Sequence, residues 1–170
     1  MLRLRPFKKC DAEAIVSWIG DERAFRKWSS DRFPAYPLTA QQLNDYYDAF
    51  AELDNYYEMT AFDDTGVAGH MIMRFVDEEK KILRFGFVIV DSRKRGAGLG
   101  KEMLTLAIRY GFEILKAEKI TMGVFDNNES AYRCYLSVGF RDTGKRIPHS
   151  FFGEDWTDIE LELPRPEQPE

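Results

Sequence analysis

Leu2 and Leu4, with Phe7 beyond them, alternate with Arg3 and Arg5, the period of two that marks a half-buried strand. The period then lengthens. Ala14, Ile15, Trp18 and Ile19 share one face of a helix that Asp11 can cap and Gly20 can stop. A short helical piece around Phe25 to Trp28 should follow, then a loop, because Pro34 and Pro37 interrupt regular pairing. Thr39 and Gln42, three residues apart, form a capping box ahead of Leu43, Tyr46, Tyr47, Phe50 and Leu53 on one helical face.

Two strand-like runs come next, Y-Y-E-M-T-A-F and V-A-G-H-M-I-M-R-F-V, split by the turn D-D-T-G. A polar D-E-E-K-K links them to I-L-R-F-G-F-V-I-V, which predicts three antiparallel strands in succession. Farther on, Leu104, Ala107, Ile108, Gly111 and Leu115 fall on one helical face, broadened by Met103, Leu106, Tyr110 and Ile114. I-T-M-G-V-F reads as a strand, and N-N-E-S-A-Y-R-C-Y-L-S-V-G as a short helix closed by Gly139. Phe140 opens another strand, and W-T-D-I-E-L-E-L alternates as the last one. This order predicts a mixed α/β sheet in a single domain, residues 1–163, with residues 164–170 as a disordered tail.

Composition agrees with one folded unit. With 170 residues, 44% of them hydrophobic, the chain can bury one sizeable core. Its net charge of −5 argues against the broad basic face of a nucleic-acid binder. No apolar run resembles a signal peptide or reaches the length of a membrane span, so a cytoplasmic protein is expected. Cys10 and Cys134 have neither metal-ligand nor disulfide spacing, so both read as buried free thiols, and no metal site is expected.

The stretch R-K-R-G-A-G-L-G-K, Arg93 to Lys101, joins a strand to a helix. Unpaired amides and the positive end of the helix dipole make such a junction an anion site, to which Arg93, Arg95 and Lys101 can add charge. A glycine-rich connector with a solvated basic cluster explains the same residues. Two common nucleotide motifs fail here. A Walker loop would find Arg95 at its first glycine and Glu102 at its Ser or Thr, and a dinucleotide fingerprint would find Lys101 at its last glycine.

Arg95-Gly96-Ala97-Gly98-Leu99-Gly100 instead matches [QR]-x-x-G-x-[GA], and Asn128, Ala131, Tyr135, Gly139 and Phe140 match N-x-x-A-x-x-x-Y-x-x-x-G-F. In these two motifs, and in element order, the chain resembles the GNAT superfamily of N-acetyltransferases. The V-x-P that often precedes the glycine turn reads Val90-Asp91-Ser92 here, a departure without chemical consequence. Similarity near Trp18 and in a late D-x-x-x-x-x-L pattern resembles the branch that acetylates N-termini of ribosomal proteins.

The resemblance implies a predominantly antiparallel sheet with a splayed central strand pair flanked by helices, and acetyl-CoA as cosubstrate. It implies that Val88, Ile89 and Val90 offer backbone groups to pantetheine, and that Arg95, Gly96, Ala97, Gly98, Leu99, Gly100 and Lys101 hold the pyrophosphate. Asn128 would bond the cofactor, cap its helix, or do both, and Tyr135 would protonate or stabilise the departing thiolate. Tyr135 and Tyr132 also fit as core aromatics, and Cys134 as a small buried residue rather than a nucleophile. Members often carry a carboxylate base on the strand before either motif; Ile82–Val90 and Ile120–Phe125 contain none. Glu58, His70, His149 or a water chain are the substitutes, and the base stays unassigned. Asp45, Asp48 and Glu52 are candidates for attracting a cationic amine, or form the solvated side of a helix. The expected partner is thus an amine acceptor, a small molecule or protein N-terminus, with no nucleic acid or membrane; a homodimer is permitted. A non-catalytic acyl-CoA sensor is the alternative function.

Overall fold

The alternation at the start of the chain becomes β1 (Arg3–Pro6), which pairs antiparallel with β2 (Tyr56–Asp63) in a computed structural model that describes residues 1–169. Between them lie α1 (Ala12–Ser17), α2 (Glu22–Ser29) and α3 (Ala40–Asp48). α2 starts where Asp21 accepts from the Ala24 amide at 2.8 Å. α3 starts at the expected capping box, with Thr39 and Gln42 exchanging bonds of 2.9 and 3.1 Å. Asp11 is different. Its side chain does not cap α1 but accepts from both Arg5 amino groups (2.7 and 2.8 Å), the Lys8 amide (2.9 Å) and Thr60 Oγ1 (2.9 Å). It ties the first strand to the second.

The D-D-T-G turn joins β2 to β3 (Gly66–Phe75), and β4 (Ile82–Val90) completes the antiparallel run. α4 (Leu99–Arg109) crosses over to β5 (Lys119–Phe125), which lies parallel to β4. α5 (Glu129–Ser137), β6 (Arg141–Phe151) and β7 (Glu154–Pro164) follow. The seven strands form one sheet in the order β1-β2-β3-β4-β5-β7-β6, antiparallel at every step except β4–β5. This is the mixed α/β architecture expected.

Each face of the sheet buries its own cluster. Met71, Met73, Leu83, Phe85, Ile120 and Met122 pack with Met103, Leu104 and Ala107 of α4. On the other face Ile72, Phe87 and Ile89 pack with Ile15, Phe25, Leu43 and Tyr47 of α1–α3. No helix among the described residues is long and apolar enough to cross a membrane.

Several expectations are corrected. α1 ends at Ser17, before Gly20, and α3 stops at Asp48, which leaves Leu53 exposed. Ile114 is exposed as well: the turn Tyr110–Ile114 is π-helical, and its extra residue rotates Phe112 inward in place of Ile114. Cys10 is exposed and Cys134 half-buried, so neither is the buried thiol expected. β7 includes Pro164, and Arg165 donates its amide to the Glu118 carbonyl at 2.8 Å, so both belong to the fold rather than to a tail.

Candidate active site

β4 and β5 pair only at Ile82/Lys119, Leu83/Ile120 and Arg84/Thr121. Beyond Arg84 they part, and a slot opens between Phe85–Val90 and Met122–Phe125. A bulge widens it. Ile72 faces Gly86 and His70 faces Ile89, so Met71 stands opposite both Phe87 and Val88. Phe87 sits at φ +50°, a conformation costly for a bulky side chain and found where surrounding structure enforces it. The bulge inverts the alternation of β4. Phe87 and Ile89 turn to the α1–α3 side, while Val88 and Val90 pack on the α4 side. Val88, Ile89 and Val90 all line the slot, as expected, with backbone on the edge that β5 leaves unpaired.

The glycine turn closes one end. Gly96 and Gly98 hold φ of +83° and +76°, and Gly98 precedes α4 as its N-terminal residue. Their requirement is conformational: a Cβ at either would meet nothing within 4 Å. The first intrahelical bond runs from Glu102 to Gly98 at 3.0 Å, leaving the Leu99, Gly100 and Lys101 amides without helical acceptors. Arg95, Gly96, Gly98, Leu99, Gly100 and Lys101 line the cleft; Ala97 is exposed and does not. Arg93 does not line it either. Asp91 holds it from behind through Nε at 3.1 Å and an amino group at 2.9 Å, while Lys94 pairs with Asp63.

This cleft measures about 690 Å³. Tyr135 lines its α5 side, buried with only 8% exposure, and its hydroxyl makes no hydrogen bond with other described residues. Burial, with Cys134 adding to it, pushes the phenol well above its ordinary value, so the hydroxyl is a proton donor at neutral pH. Asn128 precedes α5, yet its side chain caps nothing and lines the cleft. Gly139 (φ +113°) ends that helix as expected. Cys134 lies in the cleft wall, its thiol pushed up by burial and so a poor nucleophile.

A second cavity of about 460 Å³ adjoins the slot on the α2–α3 side. Trp28, Phe85, Gly86, Phe87 and Gly123 border both. Asp158 of β7 lines this second cavity, and the sequence reading missed it. It faces Phe125 across the β5–β7 ladder and reaches over Gly123. Burial pushes its carboxyl above the ordinary value, against Arg84 and with help from Glu160. Arg84 itself is committed to Glu160 through bonds of 2.6 and 3.2 Å.

The expected substitutes for the base fare differently. His70 is buried under Tyr47, with Nε2 2.6 Å from the tyrosine oxygen, and desolvation pushes it down to about 3. Glu58 is half-buried on β2 and borders neither cavity. His149 lines the second cavity, stacked on Phe151. Asp45, Asp48 and Glu52 are exposed and border neither cavity; Asp48 pairs with Lys9 at 3.1 Å. They form the solvated side of their segment.

Residues 1–141 match the profile of the family described as Acetyltransferase (GNAT) domain. The spermine/spermidine N(1)-acetyltransferase of Bacillus subtilis (strain 168) is 35% identical over 92 residues, which span 53% of this chain and 59% of that protein. The spermidine N(1)-acetyltransferase of Escherichia coli (strain K12) is 24% identical over 151 residues, 89% of this chain and 78% of that one. In fold, the chain superposes on a spermidine N-acetyltransferase from Vibrio cholerae, solved with CoA and spermine. The TM-score is 0.80 at 19% identity, covering 96% of this chain and 95% of the other. The names of these relatives give polyamines as what they act on.

Proposed function

The chain belongs to the GNAT acetyltransferase family, and from that premise we propose that it moves the acetyl group of acetyl-CoA to a primary amine of a small molecule by direct attack in a ternary complex. One observation carries the reading: the β4–β5 ladder ends at Arg84/Thr121, and the slot opened beyond it is lined by both the glycine turn and Tyr135. The residues fit the cosubstrate. The unpaired edge of β4 can accept pantetheine as an added strand, and the free amides of α4 with Arg95 and Lys101 suit a pyrophosphate.

The acceptor enters through the second cavity, so its amine meets the thioester where the two cavities share Gly86, Phe87 and Gly123. Asp158 accepts the proton that the attacking nitrogen sheds. Backbone amides of the widened part of β4 stabilise charge on the thioester oxygen. The C–S bond breaks and Tyr135 donates its proton to the sulfur from the opposite face of the sheet. Holding both reactants in adjoining cavities supplies acceleration by proximity.

The test is incubation with acetyl-CoA and a panel of amines, following free CoA thiol and an acetyl mass increment on the acceptor. A sensor would bind acetyl-CoA and release no thiol with any amine.

A further inference from the structure

The acceptor cavity carries charge of the wrong sign for a polycation. Arg74 of β3 stands on its wall, half-buried, and its guanidinium makes no hydrogen bond or ion pair with other described residues. Arg32, exposed, and Lys27, half-buried, line the same cavity, and their side chains are equally free of partners among the described residues. Arg84 is neutralised by Glu160. The lining carboxylates are Asp31, exposed beside Arg32, and Asp158, which the proposed reaction uses.

An unpaired, half-buried guanidinium is unfavourable, because burial removes water that nothing replaces. Desolvation and the neighbouring Arg32 and Arg84 all press Arg74 below its ordinary value. Two neutral donors are also left over. The Tyr56 hydroxyl and Trp28 Nε1 are buried without a hydrogen-bond partner among the described residues, and both residues line the cavity. Donors of this number without acceptors call for an acceptor-rich ligand. The aromatic walls, Tyr46, Phe50 and Phe87 among them, suit an apolar body.

We infer that the acceptor is a small amine that also carries an oxyanion, typically a carboxylate, held by Arg74 and Arg32 while its nitrogen faces Asp158. A guanidinium fork recognises a carboxylate through two parallel bonds, which also fixes the distance from anion to amine. The inference rests on the acetyl-transfer reading and narrows its substrate class.

Thiol release is measured for α-, β- and γ-amino acids, each beside its own carboxamide, and for spermidine. At least one amino acid should exceed its carboxamide in kcat/KM by roughly 10-fold or more, the value of a bond to a charged group. The carboxamide's amine is the less basic, so intrinsic reactivity runs against this result. Arg74→Met should raise KM for that amino acid by roughly 10- to 100-fold and affect the carboxamide, which accepts only a weaker neutral bond, several-fold less, and Arg74→Lys should recover part of the loss. Equal rates within every pair, or spermidine as the best acceptor, overturn the inference and leave acetyl transfer standing. Bound acetyl-CoA with no thiol released to any amine overturns both. The paired comparison on the unaltered protein decides the matter even if the Arg74 variants fail to fold.

Discussion

Asp158 lies over the backbone of Gly123: a Cβ placed on that glycine would come 2.6 Å from Asp158 Oδ1 and 2.9 Å from Oδ2. The glycine thus lets a β7 carboxylate reach the border between the slot and the second cavity. Gly123→Ala must displace Asp158, and we expect kcat to fall by roughly 10-fold or more with acetyl-CoA affinity unchanged. Steady-state kinetics beside calorimetry with CoA reads both. An unchanged kcat would detach Asp158 from the reaction.

Asp158→Asn should lower kcat by roughly 10²–10⁴, the usual contribution of a positioned base. Its pH profile gives the sharper test. Burial raises the carboxyl's pKa, so the base form is lost at a higher pH than for an exposed aspartate. Activity should therefore rise with pH through a limb displaced upward from the ordinary carboxylate range. That limb should vanish in Asp158→Asn and persist in a His149→Gln variant.

Tyr135→Phe removes only the phenolic oxygen from a side chain that is otherwise packed against the core. Acetyl-CoA should bind as before, and the fold should melt at nearly the same temperature, since no described residue bonds that hydroxyl. Turnover should fall by roughly 10²–10⁴. Near-normal turnover would leave Tyr135 a core aromatic.

What the sequence disclosed is what short-range chemistry determines. The Thr39–Gln42 box, the D-D-T-G turn and the face through Leu104 and Ala107 depend on neighbours within a turn or two. Asp11 looked like a cap because its real partners, Arg5 and Thr60, come from two strands that meet only in the fold. The bulge at Phe87 left no trace, because F-V-I-V is apolar throughout and both faces of β4 are buried, so an inverted alternation reads like a regular one. The motifs located Tyr135 and the glycine turn. They could not locate Asp158, whose position depends on the register between β5 and β7 rather than on any local pattern. The acids at positions 45, 48 and 52 left two readings open beside their tyrosines; α3 and the turn after it leave them in water and bring Tyr46 and Phe50 to the cavity.

Acidification should cost the fold stability at His70. It sits within the sheet opposite Thr60 and Ile89, with Phe7 packed edge-on at 5.5 Å and Nε2 bonded to Tyr47 Oη at 2.6 Å. Desolvation pushes its pKa from the ordinary 6.5 down to about 3. Between those values the unfolded chain binds a proton that the folded one refuses, so stability falls as pH drops below about 6.5 and levels off near 3. Above that window His70 contributes no pH dependence. At pH 4.5 the refusal amounts to about 2–3 kcal/mol. His70→Gln keeps a hydrogen-bonding partner for Tyr47 and cannot titrate. Denaturant unfolding at pH 7.5 and 4.5 should show the variant less stable at the higher pH, from imperfect packing, but losing about 2–3 kcal/mol less on acidification. The carboxylates titrate alike in both proteins and cancel in that difference. Equal losses would mean that the buried imidazole gains its proton without opening the fold, and the Tyr47–His70 contact would then be a site that water reaches.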